Sequence, residues 1–252
     1  ERPLAARLQG TREYLGRARR RVTAQEEQVA RAVAALETAR AEGHITRAVV
    51  LDWDVHHGNG TEAIYYDRDD VLTLSIHQER NYPLDTGAAE DRGRGQGLGY
   101  NMNIPLPPGA GHATYLEAME RLVLPAIRKY EPVIIVIACG FDAALVDPLA
   151  RMMASAETFR AMTEQVQSLA DEICGGRLVM AHEGGYSEAY VPFCGHAVLE
   201  DVCAGMTEGQ QQAERDGLDA REVLGLDLDE GGEPPDCEQD EGQDRPAPLQ
   251  KQ

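Results

Sequence analysis

The chain has 252 residues, enough for one large α/β domain or two small ones, and 42% are hydrophobic, which suits a protein that buries a core. Its formal charge of -19 repels phosphate backbones and reads against direct nucleic-acid binding, and no apolar run approaches the roughly 18 residues of a membrane span. Five cysteines (Cys139, Cys174, Cys194, Cys203, Cys237) without a C-x-x-C pair fit neither a disulfide framework nor a cysteine zinc finger, and point to a reducing compartment.

The charge is uneven. Residues 1–40 hold nine Arg against five Asp or Glu, and residues 206–252 hold four Lys or Arg against fourteen Asp or Glu. Residues 1–21 are Arg-rich without the apolar stretch of a secretory signal. The acidic end reads as a solvated tail; basic protein tails suit such a chain better than nucleic acid as partners.

In chain order, residues 1–43 read as helix. Thr23 to Glu42 is rich in Ala, Glu, Gln and Arg, with Val29, Val33 and Leu36 on one face, and Gly43 stops it. Short apolar runs then predict strands at Ala48–Asp52, Val71–Ile76, Asn101–Pro105, Val133–Cys139 and Leu178–Ala181. Amphipathic stretches predict helices at Ala113–Tyr130, Ala156–Cys174 and from near Ser187 towards Ala204. Continuous apolar strands such as V-I-I-V-I-A-C, alternating with helices, predict an α/β fold: a mostly parallel sheet with helices on both faces. Arg80–Gly99 is a Gly-rich loop without periodicity, and loops of that length in a compact domain are usually functional. Past Glu208 the composition predicts disorder.

In open α/β sheets, ligands bind beyond the carboxyl ends of the strands. Three such ends carry unusual residues. After the first strand comes D-W-D-V-H-H-G-N-G-T, where alternation sets Asp54 and His56 on one side of an extended chain, placed to share a divalent cation. A strand-end aspartate beside a hydrogen-bonded histidine has the same signature. After the most apolar strand comes Asp142, a carboxylate that is costly there unless paired, bound to metal or capping a helix. After L-V-M-A comes His182-Glu183-Gly184-Gly185-Tyr186, where the two glycines allow close approach to a ligand and the tyrosine is either a site residue or packing.

D-W-D-V-H-H-G-N-G-T, G-F-D-A-A-L-V-D-P-L-A-R-M and H-E-G-G-Y-S-E-A-Y, in this order, resemble the histone deacetylase family, in particular class II and the bacterial amidohydrolase relatives. The resemblance runs from about Val29 to Ala204. It divides the chain into a non-family helical segment (1–28), a partial deacetylase-like domain (29–205) and an acidic tail (206–252). It implies an arginase-deacetylase type of fold, and hydrolysis of acyl-lysine amides in proteins such as histone tails by a zinc-activated water. It further implies a cytoplasmic location, or a nuclear one in a eukaryote.

By motif, Asp54, His56 and Asp142 match the zinc ligands, and Tyr186 matches the tyrosine that hydrogen-bonds the carbonyl oxygen as it becomes an oxyanion. Asp52, Asp54, His56, Ser75 and Ile76 match the surroundings of a structural monovalent cation, usually potassium. A second such site would draw on Tyr65, Arg68, Val71 and Tyr100. Tyr82, Leu149, Gly184 and Gly185 match the substrate channel. Leu149 stands where polyamine-selecting relatives carry an acidic gatekeeper, so a neutral residue there favours acyl-lysine in protein.

The family's tandem-histidine pair, its general base and acid, has no counterpart upstream of Asp52, where His44 stands alone. His57 and His182 lie nearest the motifs and are expected to make structural hydrogen bonds. Two functions follow: a zinc-dependent deacylase, or a truncated or non-catalytic relative that binds metal or a protein partner without turnover. A manganese ureohydrolase of the same general fold is a remoter reading, because V-H-H-G-N-G offers no bridging aspartate after His56.

Overall fold

The computed structural model describes residues 29–215. The expectations for a helix over 1–28 and for disorder from 216 onwards lie outside these residues. Of the described residues, 29–209 form one compact unit and 210–215, the end of the last helix, belong to a second.

Helix α1 occupies residues 29–41. It ends where Gly43 adopts φ +80°, so that the amides of His44 and Gly43 turn back to the carbonyls of Ala39 and Arg40. Five parallel strands follow, β1 (Ala48–Asp52), β2 (Val71–Gln78), β3 (Asn101–Leu106), β4 (Ile134–Cys139) and β5 (Leu178–His182), in the spatial order β3-β2-β1-β4-β5. Each lies within two residues of its expected bounds. The chain winds outward from β1 to β3, then returns to lay β4 against the other side of β1, pairing Asp52 with Ala138. This reversal leaves a crevice at the carboxyl ends of β1 and β4.

Side-chain alternation along β1 divides the core in two. Val49 and Leu51 face a cluster with Tyr115, Met119, Ile127, Phe159, Met162 and Val166 from the helices after β3 and β4. Ala48 and Val50 face Val29, Val33, Leu36 and Tyr65 on the opposite side. Helices therefore cover both faces, as the apolar strands require.

Three elements depart from expectation. Helix α2 (Asn59–Tyr65) was not foreseen; it is seven residues long and begins between Gly58 and Gly60, too short for a period to show. The helix expected over Ala113–Tyr130 runs as α3 (His112–Ala118), a π turn (Met119–Val123) and α4 (Leu124–Tyr130). The wide turn precedes Pro125, whose ring and missing N–H cannot continue the α ladder to Arg121. The last helix, α6 (Val191–Arg215), starts later than Ser187 and continues past Ala204, so the first part of the expected acidic tail is helical. Helix α5 (Ala156–Cys174) agrees with its expected bounds; the Ser155 amide donates to Thr158 Oγ1 at its start.

None of the four described cysteines forms a disulfide. Among the described residues no helix is long and apolar enough to cross a membrane. Ile137 is fully buried at the centre of β4 and joins β1 to β5. Ile137→Ala is expected to cost about 2–5 kcal/mol of stability in urea unfolding; a loss below about 1 kcal/mol would show that the strand is not the packed centre described.

Candidate metal centre

Past the end of the sheet the ends of β1, β4 and β5 stay laced together. Trp53 N–H donates to the Ala138 carbonyl, Glu183 N–H to that of Cys139, and Phe141 N–H to that of Gly184. This lacing brings Asp54, His56 and Asp142 together, with one ligand atom from each within 4.8 Å of the others. His56 Nδ1 lies 2.9 Å from Asp54 Oδ1 and 3.0 Å from Asp142 Oδ2. Backbone amides hold the carboxylates in place. Gly184 N–H donates to Asp54 Oδ2, His56 N–H to Asp54 Oδ1 and Val55 N–H to Asp142 Oδ1, each at 2.8 Å.

Gly184 passes so close that a Cβ would overlap both Asp54 Oδ2 and Asp142 Oδ2. A glycine is needed there for space.

The electrostatics are unbalanced without a cation. Asp142 is fully buried, and its Oδ2 accepts no hydrogen bond, since the nearby His56 nitrogen is not aligned for one. Burial and the Asp54 charge hold the Asp142 carboxyl above the usual range. Asp52 is raised in the same way by burial, Glu183 and Asp54. Burial disfavours charge on His56, but Asp142 and Asp54 outweigh it and push the imidazole up to about 10. Two carboxylates and one imidazole, one buried oxygen without a hydrogen bond, and protons retained against charge repulsion make a donor set that fits a divalent cation.

The centre opens into a cleft of about 670 Å3 lined by Asp52, His56, Tyr82, Leu149, Gly184 and Tyr186 among others. Tyr82 and Tyr186 flank the His56 ring, each with its centroid 6.3 Å away and its plane at 77° and 75°. Burial and the Asp142 and Asp54 charges hold the Tyr186 phenol well above its ordinary pKa, so it is a donor. Gly185 stands behind this wall, facing Val191 and Phe141, and does not line the cleft.

Asp52 pairs with Ser75 across β1 and β2 and accepts from Asp54 N–H at 2.9 Å. The Ile76 side chain belongs to the core. Of the other four residues, the Arg68 guanidinium lies over the Tyr65 ring, Val71 begins β2 and Tyr100 packs edge-on to Tyr130.

The nearby histidines are only partly engaged, since Nε2 of both His57 and His182 is buried without a hydrogen bond. His57 Nδ1 lies 3.0 Å from Thr86 Oγ1, and His57 Nε2 lies 3.3 Å from Glu62 Oε2. The His182 ring lies against Phe141, and burial lowers its pKa.

Asp147 is the site residue that sequence reasoning missed. Its Oδ2 accepts from Tyr186 N–H at 2.7 Å and its Oδ1 from Leu149 N–H at 2.9 Å, tying the tyrosine turn to the loop after β4. The Asp147-Pro148 pair signals the local turn onto Leu149; the bond to Tyr186, far along the chain, leaves no local signal.

An α/β sheet with an Asp-His-Asp group at its topological switch point defines a metal-site architecture of the arginase-deacetylase kind. Residues 29–202 match the histone deacetylase domain, and the chain belongs to the histone deacetylase family. It is 54% identical over 184 residues to a histone deacetylase-like amidohydrolase of Pseudomonas aeruginosa, covering 73% of this chain and 47% of that protein. The crystal structure of the HDA15 HD domain superposes with a TM-score of 0.62 at 33% identity, over 69% of this chain and 49% of that one. An acetylpolyamine aminohydrolase from Burkholderia pseudomallei gives a TM-score of 0.60 at 32% identity, over 65% and 47%. The chain thus spans about half the length of these relatives.

Proton linkage gives a test of the metal centre. The raised His56 pKa stabilises the metal-free fold below pH about 6.5, and this contribution is lost as pH rises towards about 10. The raised Asp142 pKa acts in the same direction. A divalent metal needs those protons gone. In EDTA, Tm should therefore fall between about pH 6 and about pH 9, while the Tm gain on adding zinc grows over the same interval. Scanning fluorimetry measures both; a zinc gain that does not change with pH would contradict this account.

Proposed function

We propose that the chain holds zinc at Asp54, His56 and Asp142 and serves the hydrolysis of acyl-lysine amides in proteins such as histone tails. The observation that carries this reading is the convergence of the three donors under a cleft flanked by Tyr186. Three protein ligands leave a position for water and the substrate carbonyl. Zinc bound there supplies Lewis-acid activation of both. Tyr186 donates its hydroxyl proton in a hydrogen bond to the amide carbonyl oxygen as negative charge develops on it, an interaction worth roughly 3–4 kcal/mol in a preorganised site. Asp147 fixes the backbone from which Tyr186 reaches, and Gly184 gives the ligands room. Potassium is proposed beside Asp52, Ser75 and Ile76 with the backbone oxygens of Asp54 and His56. A cytoplasmic location, or a nuclear one in a eukaryote, suits the reducing composition.

Acyl-lysine is preferred to an acylated polyamine because the residue at the cleft mouth is the neutral Leu149, 52% exposed. An amine substrate would gain from a carboxylate there. The aminohydrolase among the structural relatives is named for acetylpolyamine, which makes that compound class the proper competitor in assays.

A second reading has its own observation. Among the described residues, the histidines lining the cleft are His56 and His57, the first a metal ligand and the second facing Thr86 and Glu62. Among the described residues, neither of these histidines is placed to take the proton from water or to protonate the leaving amine, which supports metal or partner binding without turnover.

Two measurements separate these. The wild-type chain should hold zinc near one equivalent and Asp142→Ala should lose most of it, since alanine offers no ligand. Equal zinc in both proteins would mark the binding as adventitious. The 252-residue chain alone should deacetylate a fluorogenic acetyl-lysine peptide at least ~10²-fold more slowly than an intact relative, the worth of a general base. Robust turnover that collapses in His182→Ala would overturn this and identify a substitute base. Tyr186→Phe should lower any residual rate while leaving zinc content unchanged.

A further inference from the structure

The loop between β2 and β3 has one 3₁₀ turn, Gly95–Gly97, and carries Asn81, Tyr82 and Pro83 into the cleft wall. Tyr82 is 70% exposed, so packing does not hold it beside His56. A polar network around Glu62 of α2 lies under the same loop.

Glu62 Oε2 accepts from Asn101 Nδ2 at 2.7 Å and from Asn103 Nδ2 at 2.8 Å, two residues on one face of β3. The same two nitrogens also donate into the loop, Asn101 to the Asp91 carbonyl at 2.7 Å and Asn103 to the Ala88 carbonyl at 3.3 Å. An amide nitrogen has two hydrogens, so both asparagines are fully committed.

His57 adds a contact to the network: Nδ1 lies 3.0 Å from Thr86 Oγ1, and Nε2 lies 3.3 Å from Glu62 Oε2 without a hydrogen bond. The Thr86 hydroxyl donates to the Pro83 carbonyl at 2.8 Å, so it accepts from His57 Nδ1–H. His77 Nε2 reaches the Gly87 carbonyl at 3.0 Å, and its Nδ1 lies 2.9 Å from Ser75 Oγ. The loop sits so tightly on these rings that a Cβ at Gly87, where φ is +75°, would come within 2.5 Å of His77 Nε2. Four loop positions, Thr86, Gly87, Ala88 and Asp91, are thus held by side chains from the sheet and from the segment that carries His56, and Pro83 is tied to them through Thr86.

We propose that Glu62 is a positioning residue of the substrate cleft: through His57, Asn101 and Asn103 it fixes the β2–β3 loop and so sets Tyr82 as the wall opposite Tyr186. This rests on the reading of the cleft as an acyl-amide site. Glu62 touches none of the metal ligands and meets the cleft lining only at His57, so its effect falls on ligands long enough to pass Tyr82.

The test uses the zinc-loaded chain and two hydroxamates. Acetohydroxamate is too short to pass Tyr82, whereas one with an alkyl linker and aryl cap runs past it. Glu62→Ala should weaken the capped compound about tenfold, the worth of one charge-assisted hydrogen bond. Zinc content and acetohydroxamate affinity should be unchanged, while amide exchange across residues 83–91 quickens. Glu62→Gln keeps an oxygen for both asparagines and should stay within about threefold of wild type. Thr86→Val changes an exposed residue without changing its shape, so it decides the matter if Glu62→Ala fails to fold; it should quicken exchange at the same residues. Equal losses for both hydroxamates, or unchanged exchange in the variants, would overturn the proposal. Failure of wild type to bind either hydroxamate would instead count against the acyl-amide reading, while the exchange measurements still decide whether Glu62 holds the loop.

Discussion

Three carboxylates buried at one crevice, Asp52, Asp54 and Asp142, are what the surrounding backbone is arranged to hold. None is more than 4% exposed, and a buried charge is costly unless paired. The compensation comes mainly from the main chain: amides of Asp54, Val55, His56 and Gly184 all point at carboxylate oxygens. That is why the strand ends continue as laced, irregular chain instead of turning at once into helices. The compensation is incomplete, since Asp52 and Asp142 still have raised pKa values and one Asp142 oxygen has no hydrogen bond. A divalent cation at Asp54, His56 and Asp142 would supply the missing charge, so the candidate metal centre and the fold at the switch point are one electrostatic problem.

Much of this was legible in the sequence, for different reasons at different places. The strands are readable because a sheet covered on both faces demands unbroken apolar runs, as in Ile134–Cys139. Asp54 and His56 are readable because two-residue spacing on an extended chain gives one side. That Asp142 joins them depends on β4 returning to the side of β1, a consequence of topology to which the family motifs point but which spacing cannot give. Short or cross-chain features were hidden: the seven residues of α2, the π turn before Pro125, and the bond from Asp147 to Tyr186. Gly185 shows the converse, a motif residue beside the site whose Cα packs backwards onto Phe141.

The three candidate metal ligands follow two neighbouring strands, β1 and β4, within the matched residues 29–202. A metal held by them would need only the sheet and its flanking loops. Proton transfer is a separate requirement, because it demands a base within reach of the water, and His57 is turned towards Thr86 and Glu62. The two capacities are structurally separable.

The cleft walls follow a common rule. Tyr186 hangs on Asp147, and the loop of Tyr82 hangs on Glu62; in each case a carboxylate accepts hydrogen bonds that fix main chain, directly or through asparagine and histidine. Loops held this way do not depend on packing at their tips, which explains how Tyr82 and Leu149 can stand so exposed and still face the metal centre. The division of labour is then physical. The anchored backbone sets distance to the metal, and the exposed tips meet the substrate. A change at Tyr82 or Leu149 alters what the cleft prefers, whereas a change at Asp147 or Glu62 alters whether there is a wall at all.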